Sequence, residues 1–149
     1  MKKFIIIINL LLFSGFIFAQ ELPKDVQRVY KGAEHLKSKK RLSEAVAAYK
    51  EVLRSVNHVP SMISIADIEM NMRKPPNYRV AYEYYDMAIN ELNNQISSAS
   101  KKRVKASLAK QQEQLIPKRE KAKSHVSDFD KLREQKKRGQ QLLEDEGLN

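Results

Sequence analysis

A chain of 149 residues with 28 Lys+Arg, 18 Asp+Glu and no Cys is strongly basic, at a formal net charge of +10. Without cysteine there is neither a disulfide nor a thiolate metal centre, so packing alone must hold the fold. Four Gly, five Pro and the lack of any period-two alternation argue against sheet and for an all-α chain.

Residues 1–19 read as an export signal. Lys2 and Lys3 supply the positive start, residues 4–18 are apolar apart from Asn9, Ser14 and Gly15, and Ala19 stands at the expected cut. The run is shorter than the ~20 residues of a membrane span; an uncleaved anchor is the alternative. No Cys is present for lipid attachment. The expected location is therefore periplasmic or secreted, and the Ile/Phe-rich signal suits a Gram-negative envelope. Removing residues 1–19 leaves 26 Lys+Arg against 18 Asp+Glu, in a chain long enough for one domain with a modest core.

Pro23 stands near the start of a first helix whose apolar stripe is Val26, Val29, Gly32, Ala33 and Leu36. A short basic turn follows. A second stripe, Leu42, Ala45, Val46, Tyr49, Val52 and Leu53, predicts a helix packed back on the first, with Ser43 as its cap and Glu44 in its first turn. Gly32 and Ala33 are small where the helices would cross, and Tyr49 fills the space beside them. Residues 57–60 signal a loop, and Ser61 is expected to cap the next helix. In that helix Met62, Ile63, Ile65, Ala66, Ile68, Met70 and Met72 are apolar on more than one face. It is either buried between neighbours or lines a groove. Pro75 and Pro76 end it.

A fourth helix carries Ala81, Tyr85, Ala88 and Ile89 and is expected to close near Asn93 and Asn94. Tyr82 and Tyr85 are assigned to the core, Tyr78 and Tyr84 to the surface. From residue 97 the chain has 14 Lys+Arg against 8 Asp+Glu. A thin seam of Val104, Leu108, Leu115, Ala122, Val126, Phe129, Leu132 and Leu143 is interrupted by Gln111, Arg119, Lys136 and Gln140. Residues 97–149 are thus expected to be a basic capping region, formed as one long helix or as a pair broken or kinked at Pro117.

The two hairpins repeat. Ala33 and Ala45 are 12 residues apart, and 36 residues separate Ala45 from Ala81, Tyr49 from Tyr85, Val52 from Ala88 and Leu53 from Ile89. With Gly32, Ala33, Leu36, Ala45, Tyr49 and Val52, the chain resembles the tetratricopeptide repeat, with residues 20–96 as two repeats. The second repeat matches if Ala66 is the small crossing residue and the turn at 74–77 carries about three extra residues; otherwise Glu69 falls at the close contact. The resemblance implies a right-handed stack of antiparallel hairpins and a groove, lined by the first helix of each, that binds a peptide or helix of a partner. The implied groove residues are Gln27, Tyr30, Glu34 and Lys37, then Ile63, Asp67 and Met70. The lysine and asparagine set with which some members clamp a terminal carboxylate is not evident.

No catalytic residue, cofactor or metal site is expected. His35, His58 and His125 stand far apart, and no phosphate loop or nucleophile elbow is present. The basic patch Lys101, Lys102, Arg103 and Lys105 lacks interleaved aromatics, and export removes nucleic acid as a partner. Acidic envelope surfaces are the expected peripheral contact. The expected function is an exported adaptor or scaffold, without catalysis, for a protein or peptide of the bacterial envelope. Two repeats make a short groove, so self-association into a homo-oligomer is a further expectation. The alternative is a basic periplasmic holdase chaperone for outer-membrane proteins.

Overall fold

A computed structural model describes residues 22–145, and the expected export signal at residues 1–19 lies outside the described residues. Among the described residues the chain is helical without strands: α1 (Lys24–Ser38), α2 (Leu42–Ser55), α3 (Val59–Asp67), a π-helical turn (Ile68–Met72), α4 (Tyr78–Ser98) and α5 (Lys102–Asp145). None of these helices is long and apolar enough to cross a membrane.

The α1–α2 turn closes as a Schellman motif. Arg41 N donates to Leu36 O and Lys40 N to Lys37 O, both at 3.0 Å, and Lys40 sits in the left-handed region at φ 58°. Helix α2 begins at Leu42, so Ser43 lies inside it and is not its cap; Arg41 holds the cap position and pairs its guanidinium with Glu44. The crossing of α1 and α2 rests on Ala33 and Ala45, both at 0% exposure, with Tyr49 also at 0% beside them. Gly32 takes no part: it is exposed, and a Cβ built there meets nothing within 4 Å.

Helix α3 starts earlier than expected. Pro60 lies in its first turn, where a missing N–H costs nothing, and His58 rather than Ser61 holds the cap position. Ser61 is inside the helix and fully buried, with Oγ 2.8 Å from His58 Nδ1. Of its two expected roles, α3 fills that of a helix buried between neighbours. Ile65 and Ile68 join the first core with Ala33, Ala45, Val46 and Tyr49. Met62, Ala66 and Met70 join the second with Ala81, Tyr85, Ala88, Ile89 and Leu92. Tyr84 is half-buried and packs against both cores, so it is not a surface residue alone. Tyr78 packs against the second core and stacks on His125 at 4.2 Å.

Ala66 occupies the crossing position of the second hairpin at 0% exposure. The extra residues do not all lie in the turn. Beyond Ala66, α3 and its π turn run one residue further than α1 runs beyond Ala33, and the linker 73–77 is two residues longer than 39–41. The π bond is Arg73 N to Ile68 O at 2.9 Å. Asn77 caps α4 by accepting from Val80 N at 3.3 Å. Helix α4 continues past Asn93 and Asn94 because Leu92 and Ile96 extend its buried stripe.

Helix α5 is one helix through Pro117, not a broken pair. It runs antiparallel to α4: Gln112 meets Asn93 at 2.5 Å, Arg119 meets Asp86 at 3.2 Å, and His125 meets Tyr78. Leu108, Leu115 and Ala122, spaced by seven, are buried against α4. An interior proline costs about 3 kcal/mol, and packing on both sides of exposed Pro117 offsets it. The seam positions Phe129, Leu132 and Leu143 lie outside the described side chains.

Ala45→Arg and Ala81→Arg each force a long cation into a crossing without free space, and each should lower stability by about 3 kcal/mol or more. Gly32→Ala, mid-helix and in open space, should raise it by up to about 1 kcal/mol. Circular-dichroism melting checks both; unchanged melting of the two arginine variants would contradict the crossing.

Candidate functional site

The hairpins repeat a polar unit as well as an apolar one. Tyr49 Oη on α2 donates to Glu34 Oε1 on α1 at 2.5 Å, and Tyr85 Oη on α4 donates to Asp67 Oδ1 on α3 at 2.6 Å. Each carboxylate directly follows the buried alanine of its helix, Ala33 or Ala66. Each tyrosine lies four residues beyond the buried alanine of the partner helix, Ala45 or Ala81. The unit follows from burial, because a tyrosine without exposed surface must still satisfy its hydroxyl.

A second donor reaches each carboxylate from the next odd-numbered helix. Ser64 Oγ on α3 donates to Glu34 Oε1 at 3.4 Å, and Lys118 Nζ on α5 donates to Asp67 Oδ1 at 3.0 Å. Lys37 Nζ adds a bond to Ser64 Oγ at 3.2 Å, and Lys118 Nζ lies 5.9 Å from the centre of the Tyr85 ring. A half-buried polar row therefore runs across α1, α3 and α5.

Burial, then the neighbouring carboxylate, pushes the Tyr49 and Tyr85 hydroxyls well above the ordinary tyrosine range and Tyr30 up to about 12, so all three stay neutral donors. Tyr30 lies 6.0 Å from the Tyr49 ring and meets His58 edge-on at 4.7 Å. His58, 5% exposed, is held below the ordinary histidine value by burial, against the opposing pull of Glu34.

Of the residues expected to line a groove, the structure brings Tyr30, Glu34, Lys37 and Asp67 into or beside this row. Gln27 is exposed one turn before Tyr30, and Ile63 is half-buried against the second core. Met70 is not on this face: at 6% exposure it belongs to the core between α3 and α4. The expectation used a 3.6-residue period, and the π turn resets the register after Asp67. Sequence reasoning missed Ser64 and Lys118. The repeated alanine–carboxylate dipeptides, Ala33 with Glu34 and Ala66 with Asp67, carried a signal for the row; nothing local marked Lys118.

Lys101, Lys102, Arg103 and Lys105 are all exposed around the start of α5 and join no part of the row. The hydroxyl–imidazole pair of Ser61 and His58 is sealed, with Ser61 at 0% exposure, so no substrate reaches the hydroxyl. Among the described residues no three His, Cys, Asp or Glu side chains form a group suited to a metal. No family model matches the chain, and no curated protein or solved structure matches it.

Tyr49→Phe and Tyr85→Phe should each cost about 1–2 kcal/mol in urea unfolding, since each leaves a carboxylate short of a donor; two variants as stable as the parent would show the row to be ornamental to the fold. His58 supplies a pH dependence. Its pKa is lower folded than unfolded, so the unfolded chain binds more protons once the pH falls below about 6.5. The stability tied to a neutral His58 is complete above that pH and declines as the pH drops toward the folded value. His58→Asn should flatten the stability slope between pH 7 and pH 5 relative to the parent chain; equal slopes would count against a buried neutral imidazole.

Proposed function

We propose that this chain is an exported helical-repeat adaptor, similar to tetratricopeptide-repeat proteins, that holds a protein or peptide of the bacterial envelope and performs no catalysis. The partner lies along the row formed by α1, α3 and α5. The observation that carries the reading is the recurrence of the tyrosine–carboxylate unit at Glu34 and Asp67, each tied to the next odd-numbered helix. In this reading α5 takes the place of a third first-helix, so the groove spans three helices rather than two. A surface of half-buried hydroxyls, carboxylates and lysines flanked by Tyr30 suits a polar peptide or helix. The N-terminal pattern of residues 1–19 supports export. The exposed patch Lys101, Lys102, Arg103 and Lys105 suits weak contact with acidic envelope surfaces.

Photo-crosslinking in the native cells tests this. A crosslinker at exposed Gln27 should trap one dominant protein, and one at exposed Asn90 on α4 should not. Equal yields from both positions, or many unrelated clients together with suppression of their aggregation, would replace the adaptor with a holdase chaperone.

A further inference from the structure

A block of unmatched positive charge lies around the start of α5, apart from the polar row. Residues 92–112 contain Lys101, Lys102, Arg103, Lys105 and Lys110 and no Asp or Glu. All five cations are exposed, and among the described residues none of their side chains has an ion pair or a hydrogen bond. Other surface cations are paired along their own helices, as Arg28 is with Asp25 and Arg54 with Glu51. The placement also works against α5 itself. Its first turn has no acidic residue and carries Lys102, Arg103 and Lys105, although the free amide groups there favour carboxylates. Nothing in the fold calls for these charges.

The block sits at a particular end of the molecule. His58, at the start of α3, meets Tyr30 in the first half of α1, and Asn57 donates to Glu91 in the second half of α4 at 3.4 Å. The starts of α1, α3 and α5 therefore share one pole with the ends of α2 and α4. Exposed Lys24, the first residue of α1, adds a further cation there. The apolar residues 4–18 precede α1 by the five residues 19–23, which can span at most about 18 Å. Whatever membrane residues 4–18 enter, this pole is the part of the folded body next to it.

The chemistry of the patch selects the kind of partner. No aromatic residue occurs between Tyr85 and His125, so the patch has neither the aromatic anchors of a protein hot spot nor rings on which bases could stack. Four of the five cations are lysines, which act as point charges without a fixed fork. A surface of spread negative charge asks for no more than this, and a cluster of Lys/Arg beside an apolar segment is the arrangement that anionic lipids attract.

We propose that this pole docks on an anionic phospholipid surface through Lys101, Lys102, Arg103, Lys105 and Lys24. The proposal rests on the export reading, which brings the chain to envelope lipids. Helices α1, α3 and α5 all leave this pole, so the polar row runs outward from the lipid surface.

The full chain, purified as its own cells process it, is co-sedimented with vesicles of phosphatidylglycerol in phosphatidylcholine and with phosphatidylcholine alone. Phosphatidylglycerol should raise binding, and added salt should reverse the gain. Lys102→Glu with Arg103→Glu should weaken binding to the anionic vesicles about tenfold or more. Acidic residues suit the first turn of a helix, so this variant should melt no lower than the parent. Lys39→Glu with Lys123→Glu makes the same charge change at the far end: Lys123 lies about 30 Å along α5, well beyond the ~8 Å screening length. That variant should bind as the parent does. No gain from phosphatidylglycerol, or equal weakening in both variants, would overturn the docking pole. Export is read separately: vesicle binding by a chain recovered with the cytoplasm would keep the surface and remove the export reading.

Discussion

Two helices crossing at alanine, twice over, set the terms for the rest of the molecule. Ala33 and Ala45 in one hairpin, and Ala66 and Ala81 in the other, have no exposed surface. Small side chains let the backbones approach, and the space beside each crossing is filled completely by a tyrosine. A fully buried phenol cannot leave its hydroxyl unpaired, because the desolvation of that group is then uncompensated. The residue after the first alanine, Glu34 or Asp67, supplies the acceptor. The apolar crossing and the polar bond are therefore one device. A larger residue at the alanine would displace the ring, and a displaced ring would leave the carboxylate without its donor.

The same carboxylates join one hairpin to the next. Ser64 reaches back to Glu34, and Lys118 reaches Asp67. Half-buried groups of this kind add little to net stability, since desolvation offsets most of the attraction. What they add is register. Helix α5 carries a sparse apolar seam, Leu108, Leu115 and Ala122, and a seam of spacing seven leaves a slide of one heptad cheap in apolar terms. The polar contacts of Gln112 with Asn93, Arg119 with Asp86 and Lys118 with Asp67 would all break in such a slide. Arg119, which interrupts the apolar seam, and the polar residues Gln112 and Lys118 beside that seam are thus the ones that fix where α5 docks.

That division explains what could be read from the sequence. Periodicity and residue size marked the four hairpin helices and the crossing alanines, because burial on one helical face leaves a local trace. Gly32 misled for a physical reason: a glycine on the edge of a stripe looks like a contact residue, yet only the fold shows that nothing faces it. Ser43 and Ser61 looked like caps because serine often caps, but both helices begin earlier in the chain, with Arg41 and His58 at the cap positions and no side-chain cap bond at either. Met70 was misplaced because one π turn shifts every later residue. Lys118 was invisible because its role exists only after α5 has folded back along α4. In the candidate groove, the members within one helix were legible and those joining helices were not.

The two hairpins are alike at the crossing and differ where the chain leaves it. The first ends in a three-residue Schellman turn with every linker residue committed to closing the helix. The second inserts a residue into a π turn, buries Glu69 at 4% exposure and lengthens the linker to residues 73–77. A buried carboxylate and a non-standard turn both carry a cost, and neither is needed to pack α3 on α4, since the first hairpin does the equivalent without them. Their effect is to carry Arg73 and Lys74 out toward α5 and to hold the linker at both ends by Ile68 O and Glu69 O. A repeat unit repeated faithfully builds the framework. The place where this chain departs from its own repeat, at a cost in local geometry, is where it forms a half-open hollow with α5 that the first hairpin has no means to build.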